Sequence, residues 1–264
     1  MQVSLLQQLV TGEKAQDLTA AAQAVAAAKG RGADLAVLPE MFCCPYDTQT
    51  FPVYAEEAGG PIWQALSAMA RENQIWLVGG TFPEREGERI YNTCFVFDRQ
   101  GRQAARYRKM HLFDIHIDGG QHFMESETLS PGEAPAVFGT EFGVFGLAVC
   151  FDLRFPTLFE RTADLGAKAM FVPAAFNRTT GPRHWELLFR SRAVDNQLYT
   201  LGAAPAQNLS ADYVSYGHSI VCDPWGDVVA QAGTEPGAVD VTLDLNLVDE
   251  VRRQLPVRSA RRPL

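Results

Sequence analysis

Short apolar runs alternate with helix-like segments along most of this chain, and this alternation constrains the fold more than any other feature. Runs such as ADLAVLP and AKAMFVP are closed by a proline, which is typical of buried strands. Of the helix-like segments, residues 13–30 end at a glycine and residues 61–74 begin with a proline. The pattern predicts a single α/β domain over residues 1–264, without a linker or a low-complexity segment.

Individual runs give more specific expectations. Residues 75–82 and 91–98 predict two strands that are separated by the charged turn EREGERI. Residues 144–150 predict a strand that ends at Cys150, and a helix is predicted over 156–166. The pattern leaves open whether the strands form one sheet or two packed sheets.

Composition narrows the possible function classes. The chain has 264 residues, of which 47% are hydrophobic and 20% are charged, and its net charge is −8. An acidic chain is disfavoured as a ligand of nucleic acid or of anionic membranes, so we expect neither partner. No apolar stretch is long enough to span a membrane, and the first residues lack the pattern of a signal peptide. Five cysteines, an odd number, favour reduced thiols and a cytoplasmic location.

Reactive side chains stand at three predicted strand ends. Glu40 follows the run ADLAVLP, Lys109 follows a strand with alternating bases, and Cys150 lies at a strand-to-helix turn. Singly, each has an ordinary explanation as a solvated glutamate, a surface lysine or a core cysteine. Together they supply a nucleophile, a base for its proton and a cation for the oxyanion. The backbone N–H of Phe151 is a second candidate oxyanion donor.

The segments VLPEMF, RYRKMHLFD and GLAVCFDLRFP occur in this order and resemble the Glu, Lys and Cys signatures of the nitrilase, or carbon–nitrogen hydrolase, superfamily. The resemblance covers nearly the whole chain. It implies an α/β fold that is a four-layer α-β-β-α sandwich, no cofactor, and homodimers or larger homo-oligomers that meet through helices near the nucleophile. It also implies a second glutamate that orients the lysine and the attacking water. Glu125 matches that position, and Glu127 ranks lower.

Other segments, including HLFDIHI and AFNRTTGP, resemble the omega-amidase branch of this superfamily. That branch hydrolyses the terminal amide of short dicarboxylate monoamides such as α-ketoglutaramate, α-ketosuccinamate and succinamate. A small-molecule amide is therefore the expected partner, and it needs a cation for its far carboxylate and a small apolar wall. Each candidate arginine also fits a structural role. The candidates for substrate contact are Phe151, Arg154, Tyr46, Phe113, Phe176, Asn177 and Arg178.

Alternatives within the superfamily stay open. A deaminated glutathione amidase shares the CxDxRFP and DPWG segments, and its substrate carries the same ketoglutaramyl head on a larger body. An N-carbamoyl compound or a nitrile is a further possible substrate. A non-catalytic binding protein on the same fold is disfavoured, because Glu40, Lys109, Glu125 and Cys150 are all present.

Other classes of enzyme are also open. His111 or His218 is a candidate base for a Cys–His enzyme. A metal hydrolase is disfavoured, because HLFDIHIDGGQH has three histidines but no HExxH or CxxC spacing, so we expect no metal. We interpret Cys43 and Cys44, which follow Glu40, as local packing.

Overall fold

A computed structural model describes residues 1–116 and 122–262. The helices are α1 (Lys14–Gly30), α2 (Phe51–Tyr54), α3 (Pro61–Asn73), α4 (Pro156–Asp164), α5 (Gly181–Asn196) and α6 (Leu245–Gln254). The strands are β1 (Gln2–Gln7), β2 (Leu35–Val37), β3 (Glu56–Glu57), β4 (Trp76–Val78), β5 (Phe82–Glu86), β6 (Arg89–Phe97), β7 (Gln103–Arg108), β8 (Asp114–His116), β9 (His122–Met124), β10 (Ala136–Thr140), β11 (Gly143–Leu147), β12 (Ala169–Pro173), β13 (Tyr199–Ala203), β14 (Ile220–Cys222), β15 (Val228–Gln231) and β16 (Gly237–Thr242). Short 3₁₀ turns lie at Glu125–Glu127 and Cys150–Arg154.

The strands form two large sheets and one hairpin. The first sheet runs β16-β1-β2-β4-β6-β5-β3, and β7 pairs with β6. The second sheet runs β10-β11-β12-β13-β14-β15, and β8 pairs with β9. In the first sheet β2 is parallel to both β1 and β4, and in the second sheet β12 is parallel to both β11 and β13. Parallel pairs are expected where a helix connects the two strands.

The core lies in two layers on either side of the first sheet. Leu5, Val37 and Val78 share one apolar cluster with Leu147 and Phe171 of the second sheet, so these side chains fill the space between the sheets. On the other face, alternate residues of β2 and β4 pack against α1 and α3. Helices α4 and α5 cover the outer face of the second sheet. The predicted four-layer α-β-β-α sandwich is confirmed.

The predicted strand over residues 75–82 is wrong in one respect, because Gly79 and Gly80 divide it into β4 and β5. Gly80 has φ +60°, and a Cβ there would lie 2.3 Å from the carbonyl oxygen of Pro39, so only glycine fits. The charged segment predicted as a turn contributes to both β5 and β6, whose hairpin pairs Glu86 with Arg89. The sequence pattern did not predict five of the strands, namely β3, β8, β9, β10 and β15.

No helix among the described residues is long and apolar enough to cross a membrane. Cys43 and Cys44 are both buried in apolar clusters behind the Glu40 loop. Burial raises the pKa of the Cys44 thiol to about 12, which keeps it protonated and favours the packing interpretation.

Candidate active site

The loop after β2 holds Glu40 in a fixed position. The carbonyl of Pro39 accepts a hydrogen bond from the Thr81 backbone at 3.2 Å, and the Thr81 hydroxyl accepts one from the Met41 backbone at 2.9 Å. Met41 has φ +50°, a backbone conformation that a residue other than glycine adopts only where its surroundings enforce it. The two bonds to Thr81 therefore fix the direction in which the Glu40 carboxylate points.

The Glu40 carboxylate is fully buried and has several hydrogen-bond donors. Its Oε1 accepts from Lys109 Nζ at 2.9 Å, from Asn92 Nδ2 at 2.8 Å and from the Tyr46 hydroxyl at 3.3 Å. Its Oε2 accepts from the Ala175 backbone N–H at 2.9 Å. These donors fix both oxygens, so the carboxylate is oriented without being exposed to water.

Lys109 lies between two buried glutamates, directly after β7. Its Nζ donates a hydrogen bond to Glu40 Oε1 at 2.9 Å. The same nitrogen lies 3.0 Å from Oε1 and 2.9 Å from Oε2 of Glu125. Burial alone would lower the pKa of Lys109, but the carboxylates of Glu125 and Glu40 outweigh it and raise that pKa. The ammonium is therefore charged throughout the neutral range and cannot serve as a base.

Glu125 lies at the start of the 3₁₀ turn after β9. Its Oε2 accepts from the Phe113 backbone N–H at 2.7 Å, and its Oε1 accepts from the Tyr46 hydroxyl at 2.8 Å. Both oxygens also contact Lys109. Glu127, the lower-ranked candidate, lies on the same turn and is exposed. The buried glutamate is therefore Glu125, which the sequence ranked first.

Cys150 begins the 3₁₀ turn that follows β11, and it is 4% exposed. Its φ is +46°, an uncommon conformation for a cysteine, which places the side chain at a sharp turn between strand and helix. Burial raises the pKa of the thiol well above its ordinary value, and Glu40 raises it further, while Lys109 lowers it. The resting thiol is therefore protonated, and a nucleophilic role for its sulfur would need a base that accepts the proton.

The charges in this group explain which residue can act as that base. Burial is the main cause that raises the pKa of Glu40, and Glu125 adds to it, while Lys109 opposes it. A hydrogen-bonding interaction with the Cys150 thiol also lowers the pKa of Glu40. With one ammonium between two carboxylates, the group carries an excess of negative charge beside a thiol, which is what a proton acceptor needs.

Comparisons with known proteins agree with this geometry. The carbon–nitrogen hydrolase family matches residues 2–253 of the chain. Omega-amidase NIT2 of Homo sapiens is 45% identical over 260 residues, which cover 98% of this chain and 94% of that protein. The chain belongs to the carbon–nitrogen hydrolase family. It is an amide-hydrolysing enzyme, so the predicted superfamily and enzyme class are confirmed.

Solved structures support the same family. Nit3 of Saccharomyces cerevisiae, a member of branch 10 of the nitrilase superfamily, has a TM-score of 0.91 and 40% identity, covering 100% of this chain and 97% of that one. An amidase from Nesterenkonia sp. AN1 has a TM-score of 0.77 and 26% identity, over 98% and 99% of the two chains. In that structure, which is of a glutamate-to-glutamine mutant, acrylamide is attached to the active-site cysteine by Michael addition.

In this hydrolase, Asp152 is a positioning residue whose role the sequence left open. Its Oδ2 accepts from the Tyr107 hydroxyl at 2.7 Å and from the Val149 backbone at 2.9 Å. Its Oδ1 contacts both the backbone N–H of His111 at 3.0 Å and the ring Nδ1 at 2.7 Å. Tyr107 and His111 flank Lys109, so this fully buried carboxylate ties the lysine segment to the cysteine turn.

Aromatic side chains surround the reacting groups. Tyr46 stacks on Tyr213 with ring centroids 4.4 Å apart, and its hydroxyl bonds both glutamates. The Phe113 ring lies 5.3 Å from that of Phe151, and Phe176 packs on Trp185. Tyr213 was not among the predicted site residues. It lies in a long irregular segment between β13 and β14, and the family-like run YVSYGHS, which begins at Tyr213, is the signal that could have indicated it.

Arg154 ends the 3₁₀ turn that begins at Cys150. Its guanidinium carbon is 5.3 Å from the centroid of the Phe151 ring and 5.2 Å from that of Phe176, within reach of a cation–π interaction with each ring. Its Nη1 is 3.2 Å from the ring Nδ1 of His184, and its buried Nε has no partner among the described residues. No carboxylate in the described part of the chain forms an ion pair with it, and burial lowers its pKa.

Two further candidates for substrate contact lie in less suitable positions. The side-chain oxygen of Asn177 accepts from the backbone N–H groups of Thr179 and Thr180, so it stabilises the turn that leads into α5. Arg178 is exposed on the same turn. Arg154 therefore remains the stronger cation candidate of the two arginines.

The structure does not favour the other enzyme classes. His111 stacks on Phe155 at 3.6 Å between centroids and bonds Asp152, and the His218 ring contacts the carbonyl of Tyr216 at 2.8 Å. Both rings are thus engaged by groups other than the Cys150 thiol. Residues 117–121 of the histidine-rich segment lie outside the described residues, and the described ones contain no cluster of three metal-binding side chains.

Proposed function

We propose that this amidase hydrolyses the terminal amide of short dicarboxylate monoamides, such as α-ketoglutaramate, α-ketosuccinamate and succinamate, through a thioester on Cys150. The observation that carries the substrate class is Arg154, a cation without a carboxylate partner in the described residues, held between two phenyl rings beside the nucleophile turn. Omega-amidase NIT2, whose name states the same activity, is 45% identical to the chain over nearly its whole length.

The first step forms the thioester. Glu40 accepts the proton of the Cys150 thiol while the sulfur attacks the amide carbon, which avoids a free thiolate in a site that strongly disfavours one. The carbonyl oxygen becomes an oxyanion, and Lys109 donates to it together with the backbone N–H of Phe151. No described group accepts a hydrogen bond from that N–H, so it is available to the substrate.

The oxyanion then collapses and the carbon–nitrogen bond breaks. The nitrogen takes the proton that Glu40 received from the thiol and leaves as ammonia, and the acyl group stays on Cys150 as a thioester. In the second half, Glu40 accepts a proton from water, and the resulting nucleophile attacks the thioester carbon. Collapse of that intermediate releases the dicarboxylate, and the sulfur recovers its proton from Glu40.

Glu125 supports both halves without exchanging a proton with the substrate. It holds Lys109 from the side opposite Glu40, and the backbone of Phe113 and the hydroxyl of Tyr46 fix its carboxylate. The ammonium is thereby oriented before the substrate arrives, which is the preorganisation that oxyanion stabilisation requires.

Arg154 is the group that we assign to the far carboxylate of the substrate. Its guanidinium is half-buried, and Arg154 ends the 3₁₀ turn that Cys150 begins. A buried guanidinium without an anion gains from a substrate carboxylate and loses little water in binding it. The rings of Phe151 and Phe176 then form an apolar wall along the substrate chain.

A substrate panel tests the proposal. Ammonia release is measured for α-ketoglutaramate, succinamate, deaminated glutathione, an N-carbamoyl amino acid and a simple nitrile, with Cys150→Ala as the blank. The two dicarboxylate monoamides should be the best substrates, and the blank should be inactive. Turnover of the nitrile or the N-carbamoyl compound alone would contradict the proposal, and a strong preference for deaminated glutathione would favour the larger substrate.

A matched pair of arginine variants tests the assigned cation. Arg154→Met should lower kcat/KM for succinamate by roughly 10- to 100-fold, the value of one hydrogen bond to a charged group. The same variant should have little effect on kcat/KM for butyramide, because butyramide lacks the far carboxylate. Arg178→Met is the control, and we expect less than a threefold effect on either amide. Equal losses on both amides in Arg154→Met would assign that arginine a structural role.

The homodimer stays a prediction. Leu187 and Val194 of α5 and Leu165 after α4 are large apolar side chains that are exposed in the single chain. They lie on the helices that follow the nucleophile turn, where the family resemblance places the subunit contact. Light scattering on the purified chain measures the number of subunits directly.

A further inference from the structure

A cavity opens beside the stacked rings of Tyr46 and Tyr213, both of which line it. Its volume is about 460 Å³, and Glu40 and the backbone of Ala175 line its inner end. Ala175 donates its backbone N–H to Glu40 Oε2, so the cavity reaches the carboxylate that we assign as the proton carrier. Cys150 does not line it.

The walls of this cavity carry charge of one sign. Asp47 and Asp212 line it together with Glu40, and none of its described lining residues is Lys, Arg or His. Asp47 and Asp212 are exposed at the outer part of the cavity, whereas Glu40 is fully buried at the inner end. Such a cavity attracts small cations and repels a dicarboxylate.

An unused hydrogen-bonding group points to a ligand in the same place. Ser215 lines the cavity, is 7% exposed, and its hydroxyl oxygen has no partner among the described residues. A buried polar atom in a folded protein is nearly always satisfied by a protein group, a water or a ligand. A donor-rich ion such as ammonium would satisfy this oxygen, in a cavity whose charged side chains are all carboxylates.

We propose that this cavity, which Glu40 lines and Arg154 does not, binds the ammonium product and provides its exit. The inference rests on the proposed amidase function and adds the fate of the leaving group. Ammonia leaves the acyl carbon beside Glu40, takes a proton from the solvent and is held as ammonium by the carboxylates of the cavity. The carboxylic acid released in the second half returns a proton to the solvent, so the protons balance. Its removal matters because ammonia that stays beside the thioester reverses the first step.

Charge-neutral variants test this cavity. The double variant Asp47→Asn with Asp212→Asn removes two of the three carboxylates of the cavity. Asparagine keeps a side-chain oxygen, so the hydrogen bond that Asp47 accepts from the Gln49 backbone N–H can still form. Ammonium chloride should inhibit turnover of succinamate more than tetramethylammonium chloride at the same ionic strength. In the double variant the inhibition constant for ammonium should rise about three- to tenfold, while KM for succinamate is unchanged.

The control variant carries the same change in net charge elsewhere. Glu88 and Glu133 are exposed and lie outside the cavity, so Glu88→Gln with Glu133→Gln should leave ammonium inhibition unchanged. Equal sensitivity to both salts in the parent enzyme would overturn the proposal. A change in KM for succinamate that matches the change in ammonium inhibition would assign the cavity to the substrate instead.

A binding measurement separates this inference from the proposed function. The melting temperature of Cys150→Ala, which should not turn over any amide, should rise in ammonium chloride relative to tetramethylammonium chloride. That rise should be lost when Asp47→Asn and Asp212→Asn, or Ser215→Ala, are added. If the parent hydrolyses no amide, the proposed function fails while this shift still tests the cavity, and no shift would contradict the ammonium site.

Discussion

Two ion clusters meet at the end of β7, and their ratios of cations to carboxylates are opposite. Glu84 is one buried carboxylate held by two arginines: Arg108 donates to it at 2.9 Å through both Nε and Nη2, and Arg106 donates at 3.0 Å. Lys109 is one buried ammonium held by two carboxylates. Arg108 and Lys109 are neighbours in the chain, so their side chains leave opposite faces of the strand.

The difference shows what converts an ion cluster into a reactive site. Every oxygen of Glu84 is neutralised by a guanidinium, and Arg106 reaches solvent, so no proton acceptor is left. Around Lys109 the carboxylates exceed the cations, the ammonium and both carboxylates are buried, and the Cys150 thiol interacts with Glu40. The excess negative charge stabilises a proton taken from the thiol. We therefore expect the first cluster to contribute to stability and the second to contribute to catalysis.

The largest expected effect comes from removing the cation of each cluster. Lys109→Met should lower kcat/KM for succinamate by at least about a thousandfold, because it removes an oxyanion donor. It should also lower the free energy of unfolding by about 3–5 kcal/mol, since two buried carboxylates lose their partner. Arg108→Met should retain activity within about tenfold. Ammonia release measures kcat/KM, and urea unfolding measures the free energy of unfolding. Equal losses of activity in Lys109→Met and Arg108→Met would contradict the distinction between a catalytic and a structural cluster.

The carboxylates give the second comparison. Glu40→Gln removes the proton acceptor, so kcat should fall about a hundred- to a thousandfold while the chain still folds. Glu84→Gln should instead lower the free energy of unfolding by about 1–3 kcal/mol with little change in kcat. A Glu40→Gln enzyme with near-parental kcat would show that another group takes the thiol proton.

A smaller effect is expected at Asp152, which joins the lysine segment to the cysteine turn. Asp152→Asn replaces a charged acceptor by a neutral group and weakens its bonds to His111 and Val149. We expect a 10- to 50-fold loss in kcat at nearly unchanged KM, with about 1–3 kcal/mol of stability lost. Steady-state kinetics measures the split. A loss confined to KM would show that Asp152 acts on substrate binding rather than on the position of Cys150.

The smallest effect is the alkaline limb of stability. The pKa values of Cys150 and Lys109 are both raised in the folded chain. In the unfolded chain these groups lose their protons at their ordinary pKa values, about 8.5 for cysteine and about 10.4 for lysine, whereas the folded chain still holds both protons there. The free energy of unfolding should therefore fall as pH rises above about 8.5, by up to about 1.4 kcal/mol per pH unit for each group. Cys150→Ala should flatten the part of this fall below pH 10, and an unchanged slope in urea unfolding would contradict the assignment.

The sequence pattern predicted the positions of the reactive groups better than their surroundings. The strands before Glu40, Lys109 and Cys150 have apolar or alternating patterns, and such patterns can be recognised from neighbouring residues alone. Glu125 was predicted from the family signatures instead. Tyr213 and the backbone of Ala175 were not predicted, because irregular segments bring them to Glu40 from distant parts of the chain. The choice between Arg154 and Arg178 also needed the structure, since burial and ring contacts separate two arginines that look alike in sequence.

The most direct test of the account is the chemical state of Cys150 during turnover. Enzyme that is quenched in acid while it hydrolyses succinamate, then digested and analysed by mass spectrometry, should carry a succinyl group on the peptide that contains Cys150. Lys109→Met, in which oxyanion stabilisation is lost, should show almost none of it. A labelled peptide elsewhere in the chain, or full turnover by Cys150→Ala with no acyl adduct, would contradict the proposed nucleophile and the mechanism built on it.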